Sequence, residues 1–160
     1  MKKQLLYLFL IAVLFNACEK DDICLQPVTP KLVLRFYDNA NPTSKKAVKN
    51  LSIWAEGKDT LKSYKSVNVD SVALPLNINA NQTVYYLKMN NTTGNKAANK
   101  YNKLTINYST KEIYVSRSCG FKTLFNNVTF ISNNGWFQSF TPTSLTTIDN
   151  ENKAHVKIYY

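Results

Sequence analysis

Apolar and polar residues alternate with a period of two along most of the chain. The clearest segment places Leu104, Ile106 and Tyr108 on one side and Thr105 and Asn107 on the other. The same alternation occurs at residues 32–37, 51–56, 85–89 and 155–160 and, more weakly, at 72–76, 113–116, 128–131, 136–140 and 145–148. Successive side chains of a β-strand point to opposite faces, so this pattern predicts a series of short, half-buried strands.

Polar clusters rich in Asn, Asp and Gly separate the predicted strands. They are the segments 38–44, 57–60, 90–102, 132–135 and 149–153. Such residues favour turns, and no segment after residue 30 has the apolar spacing of a helix over three turns. We therefore predict an all-β fold, an antiparallel, immunoglobulin-like β-sandwich that forms a single domain over residues 31–160. A small β-barrel is the alternative.

The first residues have the pattern of a secretory signal. A basic start precedes an apolar run at residues 5–15, which is shorter than the ~20 residues of a membrane-spanning helix. The segment 1–17 resembles a lipoprotein signal peptide, in which Cys18 is lipidated and cleavage occurs just before it. Phe15 and Asn16 are atypical for such a signal, and an ordinary signal peptide with a chance cysteine is the alternative.

Charged residues follow Cys18 at fixed offsets. Lys20, Asp21 and Asp22 resemble the export tag of Gram-negative surface lipoproteins, which would carry the protein to the outer face of the outer membrane. A simple polar tether is the alternative interpretation, and the periplasmic face is the alternative location. We interpret residues 18–30 as the lipidated cysteine and its tether.

Two further cysteines remain if Cys18 carries lipid. They are Cys24 and Cys119, and an even pair in an exported chain is interpreted as a disulfide. The two cysteines are 95 positions apart. In the chain-entropy model, closing a loop of that length contributes about 4–5 kcal/mol to the stability of the folded state. The alternative is a reactive thiol at Cys119, for which His155 is the only imidazole in the sequence that could act as a base.

Several local patterns combine into a resemblance to a known family. They are the segments 22–24, 29–38, 74–77, 115–121 and 156–158. Together they resemble a family of small Gram-negative surface lipoproteins known only as a domain of unknown function, across essentially the whole mature chain. The resemblance implies lipoprotein identity, the cysteine pair and a β-rich domain. It implies no activity, substrate or cofactor.

Composition limits the chemistry that the chain can carry. The 160 residues include 20 Lys or Arg against 10 Asp or Glu, a formal net charge of +10, but only 4 Gly, 3 Cys and 1 His. These counts exclude a glycine-rich nucleotide loop and a zinc site built from several His and Cys, so we predict no cofactor and no metal. Lysine clusters at 45–49, 58–65 and 96–103 suggest anionic glycans or envelope proteins as partners, with a solvated surface as the alternative; nucleic acid is not expected.

Three hypotheses about function follow. The first is a lipid-anchored, non-enzymatic interaction or accessory module of the cell envelope. The second is a glycan-binding surface protein that uses exposed aromatic residues, above all Trp54 and Trp136, whose alternative role is to cover the sheet surface. The third, which we do not favour, is a hydrolase built from turn carboxylates. Thr60 and Ser71 lie in triplets that resemble acceptors for O-glycosylation.

Overall fold

The described part of the chain excludes the predicted signal and anchor. The computed structural model describes Cys24 and the segments 29–91, 94, 98–133 and 135–160. The signal segment 1–17, Cys18 and the predicted tag Lys20, Asp21 and Asp22 lie outside the described residues. Within the described segments, no helix is long and apolar enough to cross a membrane.

The chain folds into two stacked β-sheets. The strands of the described residues are β1 Leu32–Tyr37, β2 Val48–Ala55, β3 Val67–Val69, β4 Ser71–Leu74, β5 Gln82–Met89, β6 Lys100–Ser116, β7 Gly120–Ser132, β8 Ser139–Thr141, β9 Ser144–Ile148 and β10 Val156–Tyr159. One sheet has the order β4-β1-β10-β8 and the other the order β3-β2-β5-β6-β7-β9. The predicted all-β sandwich is confirmed, and the barrel alternative is wrong because the sheets do not close on themselves.

One parallel pair lies at the centre of the smaller sheet. Strands β1 and β10 run in the same direction, with Leu34 opposite Val156 and Phe36 opposite Ile158. The other paired strands of the described residues are antiparallel. A parallel pair needs a long connection, and here the rest of the sandwich provides it.

The core lies between the inner faces of the two sheets. Phe36, Ile53 and Ile106 are each 0% exposed and come from the predicted apolar sides of three strands. Their outward neighbours Trp54 and Thr105 keep part of their surface in solvent. The period-two pattern therefore predicted the buried face correctly, because a strand that contacts a core on one side needs apolar residues only on that side.

The strands β6 and β7 form a hairpin that extends beyond the sheet. Strand β5 pairs with β6 only as far as Asn107, and β9 pairs with β7 only between Phe125 and Thr129. Residues 111–124 pair only within the hairpin among the described strands, and we call them the distal hairpin. The sequence predicted separate strands at 104–108 and 113–116, because the distal hairpin is largely solvent-exposed and needs no apolar alternation.

Trp136 is a core residue and not a surface residue. It is 6% exposed, and its Nε1–H donates a hydrogen bond to the Leu87 carbonyl oxygen at 3.1 Å. The backbone N–H of the adjacent Phe137 donates to Asn102 Oδ1 at 3.1 Å, which holds this connection against the sandwich. The predicted strand at 136–140 is wrong for its first three residues, since β8 begins at Ser139. Of the two roles predicted for Trp136, the structure supports packing within the fold, and contact with a glycan stays a prediction.

Candidate functional site

Aromatic and charged side chains collect on the outer face of the six-stranded sheet. Trp54 on β2 lies opposite Tyr86 on β5, which in turn lies opposite Lys103 on β6. The neighbouring row places Lys88 opposite Tyr101. Directly opposed residues of antiparallel strands point to the same face, so these five side chains form one surface, which we call the aromatic platform.

The rings of the aromatic platform contact one another and the lysines. Trp54 and Tyr86 stack with ring centroids 5.6 Å apart and an angle of 14° between the planes. Tyr101 meets Trp54 edge-on, with centroids 6.2 Å apart. The Nζ atoms of Lys88 and Lys103 lie 5.2 Å and 5.6 Å from the ring centroids of Tyr101 and Tyr86, within the range of cation–π attraction. The platform thus combines flat apolar surface with positive charge.

Glu56 adds a carboxylate at the edge of the platform. Its Oε1 accepts hydrogen bonds from the Tyr86 hydroxyl at 3.0 Å and from Lys103 Nζ at 3.3 Å. The bond from Tyr86, followed by that from Lys103, holds the pKa of the Glu56 carboxyl below its ordinary value. The bond to Glu56 likewise raises the pKa of Lys103. Both groups are therefore charged at neutral pH.

A cleft of about 520 Å³ opens beside the platform. Glu56, at the edge of the platform, also lines this cleft. Lys58, Asn77 and Gln82 supply further polar groups around the cleft, and Leu76 supplies apolar surface. Carboxylate, ammonium and amide groups together offer donors and acceptors in several directions. Such groups next to exposed rings can bind the hydroxyls of a sugar whose apolar face stacks on the aromatic side chains.

Two of the carboxylates considered for a hydrolase, Asp38 and Glu56, are ion-paired with lysines in the part of the chain that is described. No group of three or more His, Cys, Asp or Glu side chains is arranged there so that it could hold a metal ion. A hydrogen bond from Lys46 lowers the pKa of the Asp38 carboxyl, as Tyr86 does for Glu56, whereas a general acid needs a raised pKa. Neither carboxyl suits that role, and the absence of enzymatic activity stays a prediction.

His155 holds the strand β1 against the segment that leads into β10. Its Nδ1 accepts a hydrogen bond from the backbone N–H of Val33 at 2.8 Å, and its own backbone N–H donates to the Val33 carbonyl oxygen at 2.8 Å. Burial lowers the pKa of the imidazole, against a smaller opposing effect of a hydrogen bond with the Asn150 backbone. Because Nδ1 uses its lone pair to accept from Val33, the folded state requires the imidazole without a proton on that atom.

The predicted disulfide is present between Cys24 and Cys119, whose Cα atoms are 4.9 Å apart. Cys119 lies in the turn that joins β6 to β7, and its backbone N–H donates to Ser116 Oγ at 3.1 Å. Gly120 closes this turn with a φ of +67°, a conformation that favours glycine. The interpretation of Cys119 as a reactive thiol is wrong because its sulfur is bonded.

The model of a family of unknown function, DUF6452, matches residues 50–160. The chain belongs to this family. The predicted resemblance to a domain of unknown function is thereby confirmed, while the lipoprotein character stays a prediction. No curated protein and no solved structure matches the chain. The segment matched by DUF6452 includes the whole aromatic platform and Cys119, but not Cys24.

The two predicted O-glycosylation sites of this DUF6452 chain lie in different surroundings. Thr60 forms an isolated bridge with Trp54 and so lies beside the platform. Ser71 begins β4, and its hydroxyl donates to the Leu34 carbonyl oxygen at 3.1 Å. The fold therefore already uses the Ser71 hydroxyl. Glycosylation of either residue stays a prediction.

Sequence reasoning missed two residues of DUF6452 strand β6. Tyr101 and Asn102 both fell in the predicted turn 90–102, but Tyr101 points outward to the platform, and Asn102 is 0% exposed. The Asn102 Nδ2 group donates to Ser132 Oγ, and its Oδ1 accepts from Phe137. Extending the alternation of residues 104–108 backwards by three positions would have placed Tyr101 outward and Asn102 inward.

Proposed function

We propose that the protein is a lipid-anchored lipoprotein of the cell envelope that acts as a non-enzymatic interaction module. The Cys24–Cys119 disulfide carries this proposal. Disulfides persist in oxidising compartments outside the cytoplasm, so the bond supports export of the chain. It also uses two of the three cysteines, which leaves Cys18 as the acceptor for lipid.

The proposed location is the outer membrane, with the domain facing the cell exterior. The offset of Lys20, Asp21 and Asp22 from Cys18 supports surface display, and the periplasmic face is the alternative. Cleavage before Cys18 removes Lys2 and Lys3 and leaves 18 Lys or Arg against 10 Asp or Glu, a net charge of +8. This charge favours anionic glycans or acidic envelope proteins as partners over neutral ones, because exposed charges attract within about 8 Å in physiological salt.

Mass spectrometry of protein purified from the native envelope tests the anchor. We expect a chain that begins at Cys18 and carries the added mass of a diacylglycerol. The Cys18→Ser variant should lose this mass, whereas the matched Cys24→Ser variant should keep it and lose only the disulfide. A processed chain without acyl groups at position 18 would overturn the proposal.

Protease treatment of intact cells tests surface display. We expect the wild-type protein to be cleaved, and replacement of Lys20, Asp21 and Asp22 by alanine to protect it. Glu19→Ala, which changes a neighbouring charge outside the proposed tag, is the matched control and should leave cleavage unchanged. Equal cleavage of the tag variant and the control would remove the export role.

The aromatic platform favours a second candidate function, the binding of a glycan. The rings of Trp54 and Tyr101 supply flat surface. Glu56, which accepts hydrogen bonds from Tyr86 and Lys103 of the platform, also lines the polar cleft. Lys88 and Lys103 next to the rings suit a sugar that carries a carboxylate, sulfate or phosphate. This candidate keeps the surface-lipoprotein setting and assigns a ligand to its outer face.

Glycan-array binding of the purified chain tests the second candidate. We expect Trp54→Ala and Tyr101→Ala to weaken binding about tenfold each, corresponding to about 1.4 kcal/mol. Tyr159→Ala is the matched control, because Tyr37 and Tyr159 also contact each other, with centroids 5.8 Å apart, on the other sheet. An unchanged affinity of the Trp54 variant for a bound glycan would refute the role of the platform.

A further inference from the structure

The distal hairpin ends in an exposed pair of aromatic side chains. Tyr114 and Phe121 lie opposite each other on β6 and β7 and are 61% and 62% exposed. Their ring centroids are 5.5 Å apart. Two large rings that contact each other at the end of a projecting hairpin form a continuous apolar patch, and such a patch marks a surface that meets a protein or a membrane.

Basic residues lie at the turn of the distal hairpin and on its face away from the two rings, whereas Glu112 is on the same face as Tyr114. The distal hairpin contains Lys111, Arg117 and Lys122 against the single acid Glu112. Lys122 is opposite Ile113, so it projects from the face of the hairpin that faces away from Tyr114. Arg117 belongs to the turn itself. Aromatic rings at a tip that also carries Arg117 match the interface of a bilayer, where rings occupy the level of the headgroups and cations meet lipid phosphates.

The disulfide brings this tip close to the proposed anchor. Cys24 is six residues after Cys18, so the tether between them reaches at most about 20 Å. Without the bond, the tether would run from Cys18 to the first strand at Leu32, a separation of 14 residues that reaches about 50 Å. The Cα atoms of Cys24 and Cys119 are 4.9 Å apart, which keeps the tip of the hairpin beside the end of the short tether.

We propose that the tip of the distal hairpin contacts the bilayer that holds the anchor, with Tyr114 and Phe121 at the level of the lipid headgroups and Arg117 on the phosphates. This inference rests on the proposed lipidation of Cys18. The hairpin then provides a second contact that orients the sandwich. Lys103 of the aromatic platform is 13 positions from Ser116 along β6, so the platform lies roughly 40 Å from the membrane-facing tip.

Photocrosslinking of the full-length protein in the native envelope tests this contact. A photoreactive phenylalanine analogue replaces Tyr114 in one variant and Ile131 in the matched control. Ile131 is 59% exposed but lies on the outer face of β7 in the body of the sandwich. After illumination, mass spectrometry identifies lipid and protein adducts, and the same samples report the acyl mass at Cys18. We expect lipid adducts at position 114 to exceed those at position 131 at least several-fold.

A lengthened tether provides the second measurement. Inserting a long Gly-Ser segment between Asp22 and Ile23 leaves the sequence of the described domain and its disulfide unchanged. It increases the distance that the tether between Cys18 and Cys24 can span. We expect lipid adducts at position 114 to fall several-fold. Undiminished adducts would overturn the argument from tether length.

The outcomes separate this inference from the proposed function. An acylated Cys18 with no lipid adduct at position 114, or with protein adducts in place of lipid, overturns the membrane contact and leaves the lipoprotein proposal intact. A chain without acyl groups overturns both.

Discussion

Trp54 and Tyr86 stack across the β2–β5 pair with ring centroids 5.6 Å apart and planes 14° from parallel. The stack follows from the register, which sets the two residues directly opposite each other on the outer face. The Tyr86 hydroxyl remains available to Glu56, to which it donates at 3.0 Å. One cross-strand pair therefore connects the apolar and the charged parts of the platform.

The stacked pair should contribute measurable coupling to stability. In a double-mutant cycle, Trp54→Ala and Tyr86→Ala should show an interaction energy of about 0.5–1.5 kcal/mol, since offset aromatic pairs contribute that much beyond buried area. Urea denaturation supplies the free energies of unfolding. Tyr86→Phe keeps the ring and loses the bond to Glu56, so its coupling to Trp54 should be small. If the losses of unfolding free energy in the two single alanine variants simply added up in the double variant, the stacked pair would contribute no coupling.

Replacing Trp136 should destabilise the fold far more than replacing Trp54. Trp136→Phe removes the donor for the buried Leu87 carbonyl, which costs about 1–3 kcal/mol, and Trp136→Ala leaves a cavity and costs about 3–5 kcal/mol. Trp54→Phe, on the outer face, should cost much less. Chemical denaturation of the three variants checks this order. Equal midpoints for the two phenylalanine variants would mean that Trp136 is not part of the core.

A methyl group at Gly135 should not fit. It would collide with the Asn102 side chain and the Tyr101 carbonyl oxygen, whereas Gly94 faces open space. We expect Gly135→Ala to cost about 1–3 kcal/mol through overpacking and to disturb the Asn102 hydrogen bonds. Gly94→Ala is the matched control and should be nearly neutral. Thermal unfolding of both variants gives the comparison, and a Gly135→Ala protein as stable as the control would contradict it.

His155 should make stability fall in mildly acidic solution. Burial lowers its pKa below the ordinary 6.5, so between the two pKa values the unfolded chain binds more protons than the folded one. The contribution of neutral His155 to the free energy of unfolding is complete above about pH 6.5. It is lost as the pH falls from there to the lowered pKa of His155 in the folded state.

The His155→Asn variant isolates this effect. Its side-chain oxygen can accept the Val33 N–H but does not titrate in this range, so the difference in unfolding free energy between wild type and variant should shift in favour of the variant on acidification. The neighbouring Asp149, Glu151 and Lys153 are present in both proteins and cancel. If the difference in unfolding free energy between wild type and variant did not change between about pH 7 and pH 5, His155 would not be the cause of the loss of stability in acid.

Loss of the disulfide should remove much of the stability of the domain. The bond spans 95 positions, for which the chain-entropy model gives about 4.5 kcal/mol. Cys24→Ser and Cys119→Ser should lose similar amounts, while Cys18→Ser should lose none. Denaturation with and without reductant provides the measurement. A reductant effect on the Cys24→Ser variant equal to that on wild type would show that another bond is responsible.

Most strands could be predicted because they have one buried face. The residues Leu104, Ile106 and Tyr108 alternate with polar neighbours, and all three are inward in the structure. The distal hairpin was predicted only in part, as the segment 113–116, because most of its side chains meet solvent and Ser109 to Glu112 show no apolar alternation. Strand β6 stays continuous through this segment because it pairs with β7. A local sequence pattern does not predict such a contact between strands.

Only part of the candidate site could be predicted from the sequence. Trp54 was placed outward correctly because its strand alternates, but the partners that make it a site come from other strands. Tyr101 was hidden by the polar residues before it, which resemble a loop. The sequence left two roles open for Trp136, because its position depends on the hydrogen bond from the following Phe137 to Asn102, 35 positions away. Tertiary hydrogen bonds of this kind override the local pattern.

The parallel pairing of β1 with β10 has a consequence for how the chain matures. Val33 and His155 are joined by two hydrogen bonds although 122 positions separate them. The ribosome must therefore extend the chain as far as β10 before the smaller sheet can close, whereas the β5–β6–β7 meander assembles from neighbours. Until then the nascent chain lacks the pairs of β10 with β1 and β8, and an incompletely folded polypeptide can still be threaded through a translocation pore.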